Sequence, residues 1–337
     1  MKVIPFDQTS YLTQVRRLRE IAIEAVKQYP IKVKAVEFIK YGDNAIFKIT
    51  DARNKKYLLR IHPANYHTKE AILEEFNWLI HILKTTDISV PKPLVSKEGH
   101  FLVEHKHPEL AAHRYCALFE WIEGRFLWKG INKQYAYKVG ALTAQLHATG
   151  KKVQFKHRHY WDLEGLVGTT KARYANVEQM TDISKKQQEL ITAARRCVYQ
   201  KLKSYQKSHP EQIGIIHDDL NPNNIIINKN HMGVIDFDDC GIGFLPYDLT
   251  APLFAFEYLT EGDKKKDYQI LEEALYLGYS DHAEISQKDI DMGPYFMLAR
   301  KLTSAASLEL RKNNPKLRAW FHQAIQRTIT YYKKNIQ

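Results

Sequence analysis

The chain has 337 residues, 44% of them hydrophobic, and its 50 Lys and Arg against 38 Asp and Glu give a formal net charge of +12. This length and apolar content are sufficient for a buried core and for two domains or lobes. No stretch of the sequence approaches the roughly 18 uninterrupted apolar residues of a membrane helix. The composition therefore argues against disordered, collagen-like and membrane-spanning proteins.

The positive charge is spread along the chain in short lysine groups, without the run of five or more basic residues that marks a nucleic-acid-binding tail. We therefore expect a small anionic ligand rather than a nucleic acid. The cysteines Cys116, Cys197 and Cys240 lie far apart, so they suggest neither a metal site nor a disulfide framework. The first residues lack the apolar segment and cleavage site of a secretory signal. These features predict a cytoplasmic protein, and we expect a monomer or a homodimer.

The first 120 residues contain both helix and strand patterns. Apolar residues recur at three- and four-residue spacing in two segments, and five other segments are typical of strands. The predicted helices are 11–28 and 68–84, and the predicted strands are 31–41, 45–50, 57–61, 101–104 and 114–119. Turn signals at 42–44 and 51–54 separate the first three strands, which predicts an antiparallel meander.

Helical patterns dominate after residue 120. The predicted helices are 135–148, 184–206 and several from 247 onward, and the predicted short strands are 213–216, 225–227 and 234–237. The sequence thus predicts an α+β protein in which a sheet-rich part is followed by a helix-rich part, with the junction near 119–124.

The polar loop between the short strands carries most of the functional information. Asp219 opens it, Asn224 closes it five residues later, and Asp236 is predicted to lie at the end of the next strand. Mg²⁺ prefers hard oxygen ligands and usually takes only one or two from a protein, while a further carboxylate can orient an attacking hydroxyl. The alternative is an Asn- and Asp-rich turn, but turn chemistry does not require Asp-Phe-Asp after the second strand.

This segment, Ile216-His217-x-Asp219-Leu220-x-Pro222-x-Asn224 with Ile235-Asp236-Phe237 and Tyr247-Asp248-Leu249, resembles the catalytic and metal-binding motifs of protein kinases. It is closer still to the aminoglycoside phosphotransferase and choline kinase superfamily, particularly its homoserine kinase type II and stress-response kinase branch. The resemblance covers about 31–250. It implies a two-lobed protein-kinase-like fold, with a nucleotide-binding lobe at 1–120, a hinge near 118–124 and a catalytic, mostly helical lobe at 121–337.

By this resemblance, Asp219 is the catalytic base, Asn224 and Asp236 bind Mg²⁺, and ATP is the phosphoryl donor. His217 would support the loop, and Asp248 would brace it from the following helix. The superfamily usually has glycine where this chain has Asp218. That additional carboxylate could raise the pKa of Asp219 or add a metal contact, and the sequence leaves both alternatives open.

On the nucleotide side, the resemblance assigns the turn Gly42-Asp43-Asn44 to covering the phosphates and Arg60 to contacting them. Strand alternation places Leu58 and Arg60 on one face, which would set an apolar group toward adenine and a charge toward phosphate. Arginine keeps its charge and can contact phosphate with two N–H groups.

The carboxylate that pairs with Arg60 would be Glu75, with Glu74 as the competitor. The pattern Glu75-x-x-Trp78-Leu79 resembles the corresponding helix of the superfamily, and this favours Glu75. The hinge residues Glu120, Trp121 and Ile122 would bond adenine through backbone groups.

Three functions remain compatible with the motifs. The first is a small-molecule kinase for an amino alcohol, amino acid, sugar or antibiotic; the second is a protein Ser/Thr kinase; the third is a nucleotide-binding pseudokinase. The intact set of Asp219, Asn224 and Asp236 argues against the third. The segment 161–168 either lines the acceptor site or packs as a helix capped by Asp162.

Overall fold

The protein is represented by a computed structural model, which describes residues 6–64, 66–106, 112–174, 177–229, 231–260, 265–310 and 315–337. The chain forms two compact units, each assembled from separate segments. The first contains Met1–Arg125, Lys156–Arg158 and Ile226–Ile235, and the second contains Phe126–Phe155, His159–Ile225 and Asp236–Gln337. No periodicity in the sequence indicated that Lys156–Arg158 and Ile226–Ile235 belong with the first unit.

A five-stranded sheet forms the centre of the first unit. Its strands are β1 (Val33–Tyr41), β2 (Ala45–Asp51), β3 (Lys56–Ile61), β4 (Val103–His105) and β5 (Arg114–Glu120), in the order β1-β2-β3-β5-β4. All four pairings are antiparallel, and Arg60 on β3 lies opposite both Ile46 and Ala117. The predicted meander of the first three strands is confirmed.

Two helices pack on this sheet. Helix α1 (Tyr11–Val26) shares a buried cluster with alternate residues of the strands, such as Leu59 and Leu118. Helix α2 (Lys69–Thr85) begins at Thr68, whose side chain accepts a hydrogen bond from the Ala71 N–H. The ring of Phe76 on α2 lies 5.4 Å from that of Phe119, the strand neighbour of Leu118. Because strand side chains alternate, the two helices cover opposite faces.

A second sheet has the order β10-β9-β6 and consists of β6 (Arg125–Phe126), β9 (Ile225–Asn228) and β10 (His231–Val234). The predicted strand at 234–237 is wrong, because β10 ends at Val234. Asp236 has the left-handed angles φ 67° and ψ 60°, and residues Phe237–Asp239 form a 3₁₀ turn. The left-handed residue turns the chain out of the strand. Asp236 is therefore held in a turn after β10 rather than at the strand's end.

The second unit is mostly helical. Its helices are α3 (Lys133–Gly150), α4 (Leu163–Val167), α5 (Lys185–Ser208), α6 (Leu245–Asp248), α7 (Thr250–Leu259), α8 (Lys265–Ser280), α9 (Gln287–Asp291), α10 (Gly293–Glu309) and α11 (Pro315–Asn335). A small sheet of β7 (Tyr160–Trp161), β11 (Gly241–Phe244) and β8 (Ile213–Ile216) accompanies them. A Cβ on Gly241 would lie 2.3 Å from the His159 carbonyl oxygen, so this close strand approach requires glycine.

The core of the second unit lies among α5, α10, α11 and β11. Phe296 on α10 contacts Phe244 and Tyr205, with ring centroids 5.4 and 5.5 Å apart. The predicted helices at 135–148 and 184–206 are confirmed with small shifts of their ends, as is the α+β class. Among the described residues, no helix is long and apolar enough to cross a membrane.

Candidate active site

The loop that follows β8 holds the Asp219 carboxylate from two sides. One oxygen, Oδ1, accepts a hydrogen bond from the Asn221 side-chain amide, and the other, Oδ2, accepts one from the Asn224 amide, both at 2.7 Å. The same Asn224 amide donates to the Asp219 backbone carbonyl at 2.9 Å. Both asparagines come from the loop itself, so the loop fixes the direction of its own carboxylate.

The surroundings of Asp219 raise its pKa to about 6, and removal from water is the first cause. The negative charge of Asp236 raises it further, while the hydrogen bond from Asn221 and the charge of Arg300 oppose the change. The side chain is only partly covered by the protein. A carboxylate with a pKa nearer to neutrality is a better proton acceptor than an ordinary aspartate.

Asn224 and Asp236 offer oxygen atoms next to this carboxylate. The amide nitrogen of Asn224 is used by Asp219, which leaves its carbonyl oxygen for another partner. Asp236 contributes a carboxylate from its left-handed turn. Two hard oxygen donors fit the usual protein share of a Mg²⁺ site. Within the described ranges there is no group of three or more His, Cys, Asp or Glu side chains that could form an all-protein metal site.

Asp248 braces the loop, as the sequence predicted. Its Oδ1 accepts a hydrogen bond from the Asp218 N–H at 2.8 Å, and its Oδ2 accepts one from the His217 N–H at 3.0 Å. Nε2 of His147 lies 2.9 Å from the same carboxylate, and Nδ1 of His147 lies 3.0 Å from the Tyr279 hydroxyl. Although burial acts to raise the pKa of Asp248, the hydrogen bond and charge of His147 hold it below its ordinary value.

Asp218 has a partner that the sequence did not indicate. It is buried, has φ 69°, and places Oδ1 3.1 Å from Nη2 of Arg300 on α10. The sequence left two roles open for Asp218, raising the pKa of Asp219 or contacting a metal ion. The structure adds a third role, an ion pair with Arg300, which lies 82 residues later in the sequence.

In the first unit, Arg60 and Glu75 form a buried ion pair. Nη2 of Arg60 lies 2.8 and 2.9 Å from the two carboxylate oxygens of Glu75. The guanidinium carbon also lies 5.0 Å from the centre of the Phe119 ring. The predicted pairing is present, and the proposed contact of Arg60 with phosphate remains a prediction.

Glu74, the competitor, has a different role. Its carboxylate accepts hydrogen bonds from the backbone N–H groups of Lys156, His157 and Arg158, at 2.8 to 3.2 Å. Neighbouring positions on a helix point about 100° apart, so only one of the two glutamates can face Arg60. Glu74 therefore holds the segment Lys156–Arg158 against α2 through these hydrogen bonds.

Arg158 is a buried residue that sequence reasoning missed. Its Nη1 lies 3.9 Å from Oε2 of Glu75 and 3.5 Å from the Ala71 carbonyl oxygen. Glu75 therefore contacts two guanidinium groups, those of Arg60 and Arg158. Nothing in the sequence pattern pointed to Arg158, because it lies 83 residues from Glu75 and outside every recognised motif.

The other residues predicted to contact the nucleotide lie in a turn and at the end of a strand, and their contacts with nucleotide remain predictions. Gly42, Asp43 and Asn44 form the turn between β1 and β2, and a Cβ on Gly42 would meet no atom within 4 Å. Nothing in the described protein itself therefore requires a glycine at that position. At the end of β5, the Glu120 carboxylate lies 3.3 Å from Lys55 and 3.6 Å from Lys92. Trp121 and Ile122 follow it outside any helix or strand, and adenine binding there remains a prediction.

The segment 161–168 shows the contacts of the packing alternative. The Asp162 side chain accepts a hydrogen bond from the Gly165 N–H and caps α4. The buried Trp161 donates its indole N–H to the Asp239 carbonyl oxygen at 2.8 Å. The contact ties this segment to the turn that follows Asp236.

Comparison with known proteins gives a consistent picture. The family model described as APH, "Phosphotransferase enzyme family", matches residues 37–275. The chain is 25% identical over 234 residues to "Uncharacterized protein sll1119" of Synechocystis, covering 66% of this chain and only 60% of that protein. It is 24% identical over 243 residues to the amicoumacin kinase of Bacillus subtilis, covering 70% of this chain and 67% of that one.

Two solved structures share the fold along nearly the whole chain. The microcompartment-associated aminopropanol kinase superposes with a TM-score of 0.77 at 24% identity, covering 93% of each chain. The amicoumacin kinase hAmiN, in complex with AMP-PNP, Ca²⁺ and Ami, also has a TM-score of 0.77, at 21% identity, covering 95% of this chain and 96% of that one. The kinase-like fold predicted from the motifs is confirmed.

Proposed function

This chain belongs to the phosphotransferase enzyme family, whose model spans more than half of it, and we propose that it is a kinase that transfers the γ-phosphoryl group of ATP to a hydroxyl group of a small molecule. The observation that carries the proposal is the arrangement at Asp219. A carboxylate with a raised pKa is held by Asn221 and Asn224, beside the oxygen donors expected for a divalent cation.

Asp219 would act on the acceptor. The acceptor oxygen attacks the γ-phosphorus atom, the bond from that atom to the β,γ-bridging oxygen breaks, and ADP leaves. The proton of the acceptor hydroxyl passes to an oxygen of Asp219. Because both carboxylate oxygens accept hydrogen bonds from loop amides, the carboxylate would meet the hydroxyl in one fixed orientation.

Asn224 and Asp236 would hold Mg²⁺ through one oxygen each. The cation, when bound, supplies positive charge against the β- and γ-phosphate oxygens. Arg60 would supply a further positive charge to the phosphates, and Glu75 would fix its direction. The turn 42–44 would cover the phosphates, and backbone groups at 120–122 would bond adenine.

The comparisons support ATP and a small acceptor without identifying the acceptor. AMP-PNP, an ATP analogue, and Ca²⁺ are named in the hAmiN complex. Aminopropanol and amicoumacin are the substrates in the names of similar kinases. An amino alcohol or an antibiotic is therefore the acceptor class we favour over a protein. We also propose a cytoplasmic monomer or homodimer, since the cysteines Cys116, Cys197 and Cys240 are all free thiols.

The proposal is tested by ADP release from Mg²⁺-ATP in the presence of single acceptors. The panel contains 1-amino-2-propanol, choline, ethanolamine, homoserine, amicoumacin, hygromycin B and a generic protein substrate. Asp219→Asn serves as the inactive variant, and the exposed Asp291→Asn on α9 is the matched control. We expect acceptor-dependent ADP release that Asp219→Asn lowers at least about a hundredfold.

Three results would contradict parts of the proposal. Phosphorylation of the generic protein alone would favour the protein kinase alternative. Binding of Mg²⁺-ATP without turnover on any acceptor would favour a pseudokinase. The absence of nucleotide binding by calorimetry would overturn the proposal altogether.

A further inference from the structure

The residue before the proposed base has an unusual conformation for its type. Asp218 has φ 69°, a left-handed angle that glycine adopts freely and that residues with a Cβ adopt only at an energetic cost. Its backbone N–H donates to Asp248, and its side chain is almost completely buried. A strained and buried aspartate beside Asp219 requires a compensating interaction, because an unpaired buried carboxylate is strongly unfavourable.

Arg300 supplies that interaction. Its Nη2 lies 3.1 Å from Oδ1 of Asp218, but neither atom has a partner aligned for a hydrogen bond within the described part of the chain, so the attraction between them is chiefly ionic. The carboxylates of Asp219 and Asp248 also act on the charge of Arg300. One largely covered guanidinium is therefore paired with Asp218 and lies within electrostatic reach of Asp219 and Asp248.

The guanidinium is itself fixed by the helical unit. Its Nε donates to the Thr250 hydroxyl at 3.1 Å, and its carbon Cζ lies 4.1 Å from the centre of the Tyr247 ring. Thr250 begins α7, Tyr247 lies in α6, and Arg300 lies near the middle of α10. The side chain thus connects three helices with the loop through a single ion pair.

Resting on the proposed function, we infer that Arg300 is a positioning residue of the phosphoryl-transfer site, which holds the loop 217–224 in its working conformation through Asp218. The ion pair between Asp218 and Arg300 stabilises a left-handed backbone conformation that glycine would adopt without such a contact. Removing Arg300 leaves Asp218 buried, strained and without its cationic partner, so the loop moves to expose it. Removing both residues, with glycine at 218, relieves the strain and the buried charge together.

The test is a double-mutant cycle of Arg300→Leu, Asp218→Gly and the combined variant, each on the full chain. Amide hydrogen exchange of peptides covering 217–224 is the principal readout, since it reports loop opening without requiring an acceptor. Thermal unfolding and ADP release from Mg²⁺-ATP with 1-amino-2-propanol are measured on the same samples. Arg327→Leu is the matched control, because Arg327 also stacks on a tyrosine ring, that of Tyr258, at 4.0 Å.

We expect Arg300→Leu to speed exchange in 217–224 at least about tenfold, with much smaller changes in α3. Its melting temperature should fall by roughly 4 °C or more, and kcat should fall more than the KM for ATP rises. The combined variant should return exchange to within about threefold of the unmodified protein and recover most of the lost kcat. Arg327→Leu should change the melting temperature without changing exchange in the loop.

Two outcomes overturn the inference. If the combined variant exchanges as fast as Arg300→Leu, Arg300 does not act through Asp218. If Arg300→Leu lowers the melting temperature while loop exchange stays unchanged relative to α3, its role is general packing. Should Arg300→Leu fail to fold, Arg300→Gln, which also removes the positive charge, replaces it in the cycle with the same two outcomes. A lack of ADP release by the unmodified protein counts against the proposed function alone, because the exchange and melting measurements remain decisive for the pair.

Discussion

Asn224 donates its side-chain amide to both the carboxylate and the backbone carbonyl of Asp219, at 2.7 and 2.9 Å. The proposed metal ligand is therefore also the group that orients the proposed base. A change at Asn224 affects two functions at once, whereas a change at Asn221 affects only the orientation of the carboxylate.

Asn224→Ala should accordingly be far more harmful than Asn221→Ala. The first substitution removes a hydrogen bond to Asp219 and a Mg²⁺ oxygen, and we expect kcat to fall at least about a hundredfold with a higher Mg²⁺ requirement. Asn221→Ala should lower kcat less than about tenfold and leave the Mg²⁺ requirement unchanged. Steady-state ADP release across a Mg²⁺ series measures both, and equal Mg²⁺ requirements would exclude Asn224 as a ligand.

Asp236→Asn should lower the pKa of Asp219 in the metal-free protein. Burial and the charge of Asp236 raise that pKa to about 6, so removing the charge moves it back toward the ordinary value of 3.8. In the unmodified protein, Asp219 would be protonated below about pH 6 and ionised above it. Carbon-13 NMR of the aspartate carboxyl groups, assigned with Asp219→Asn, measures the change. An unshifted or raised pKa would show that Asp236 does not act on the base.

Arg158 should be as important for ATP binding as Glu75. Arg158→Met removes a buried guanidinium from Glu75 and leaves Arg60 as the partner identified for that carboxylate. We expect the KM for ATP to rise about tenfold for Arg158→Met and for Glu75→Gln, with a double variant little worse than either single one. Steady-state ADP release across an ATP series measures the KM, and additive effects of the two substitutions would mean that the two residues act separately.

Glu74→Gln is the matched control for Glu75→Gln, because it makes the same chemical change at the next position of α2. Glu74 binds backbone N–H groups of Lys156–Arg158, so its loss should loosen that segment more than it weakens ATP binding. Faster amide exchange in 156–158 with a smaller change in the KM for ATP is the expected pattern.

Trp161→Phe tests the two alternatives for the segment 161–168. The substitution keeps a large apolar ring and removes the indole N–H that donates a hydrogen bond to the Asp239 carbonyl oxygen. This loss should destabilise the protein by about 1 kcal/mol. Chemical denaturation measures the free energy of unfolding. If the segment only packs, the KM for the acceptor stays unchanged, and a large rise in that KM would place Trp161 at the acceptor site.

Local sequence patterns were sufficient to predict most of the helices and strands. The helices α1, α2, α3 and α5 and the meander of β1, β2 and β3 were predictable, because helix and strand periodicities and turn residues act over a few positions. The placement of Asp219 and Asn224 at the two ends of one loop was likewise contained in a spacing of five residues. The end of β10 was not predictable, because Val234 and Phe237 continue a strand-like pattern while Asp236 takes a left-handed conformation.

The sequence by itself determined the candidate catalytic loop, the two metal-ligand candidates, and Arg60 with Glu75 favoured over Glu74 as its partner. The tertiary structure decided that Glu75 faces Arg60 and that Glu74 holds a later segment. It alone showed Arg158 behind Glu75 and Arg300 behind Asp218. The reason is physical: the partner of a buried charge is chosen by where distant segments pack, and no periodicity along the chain encodes a contact made 82 or 83 residues away.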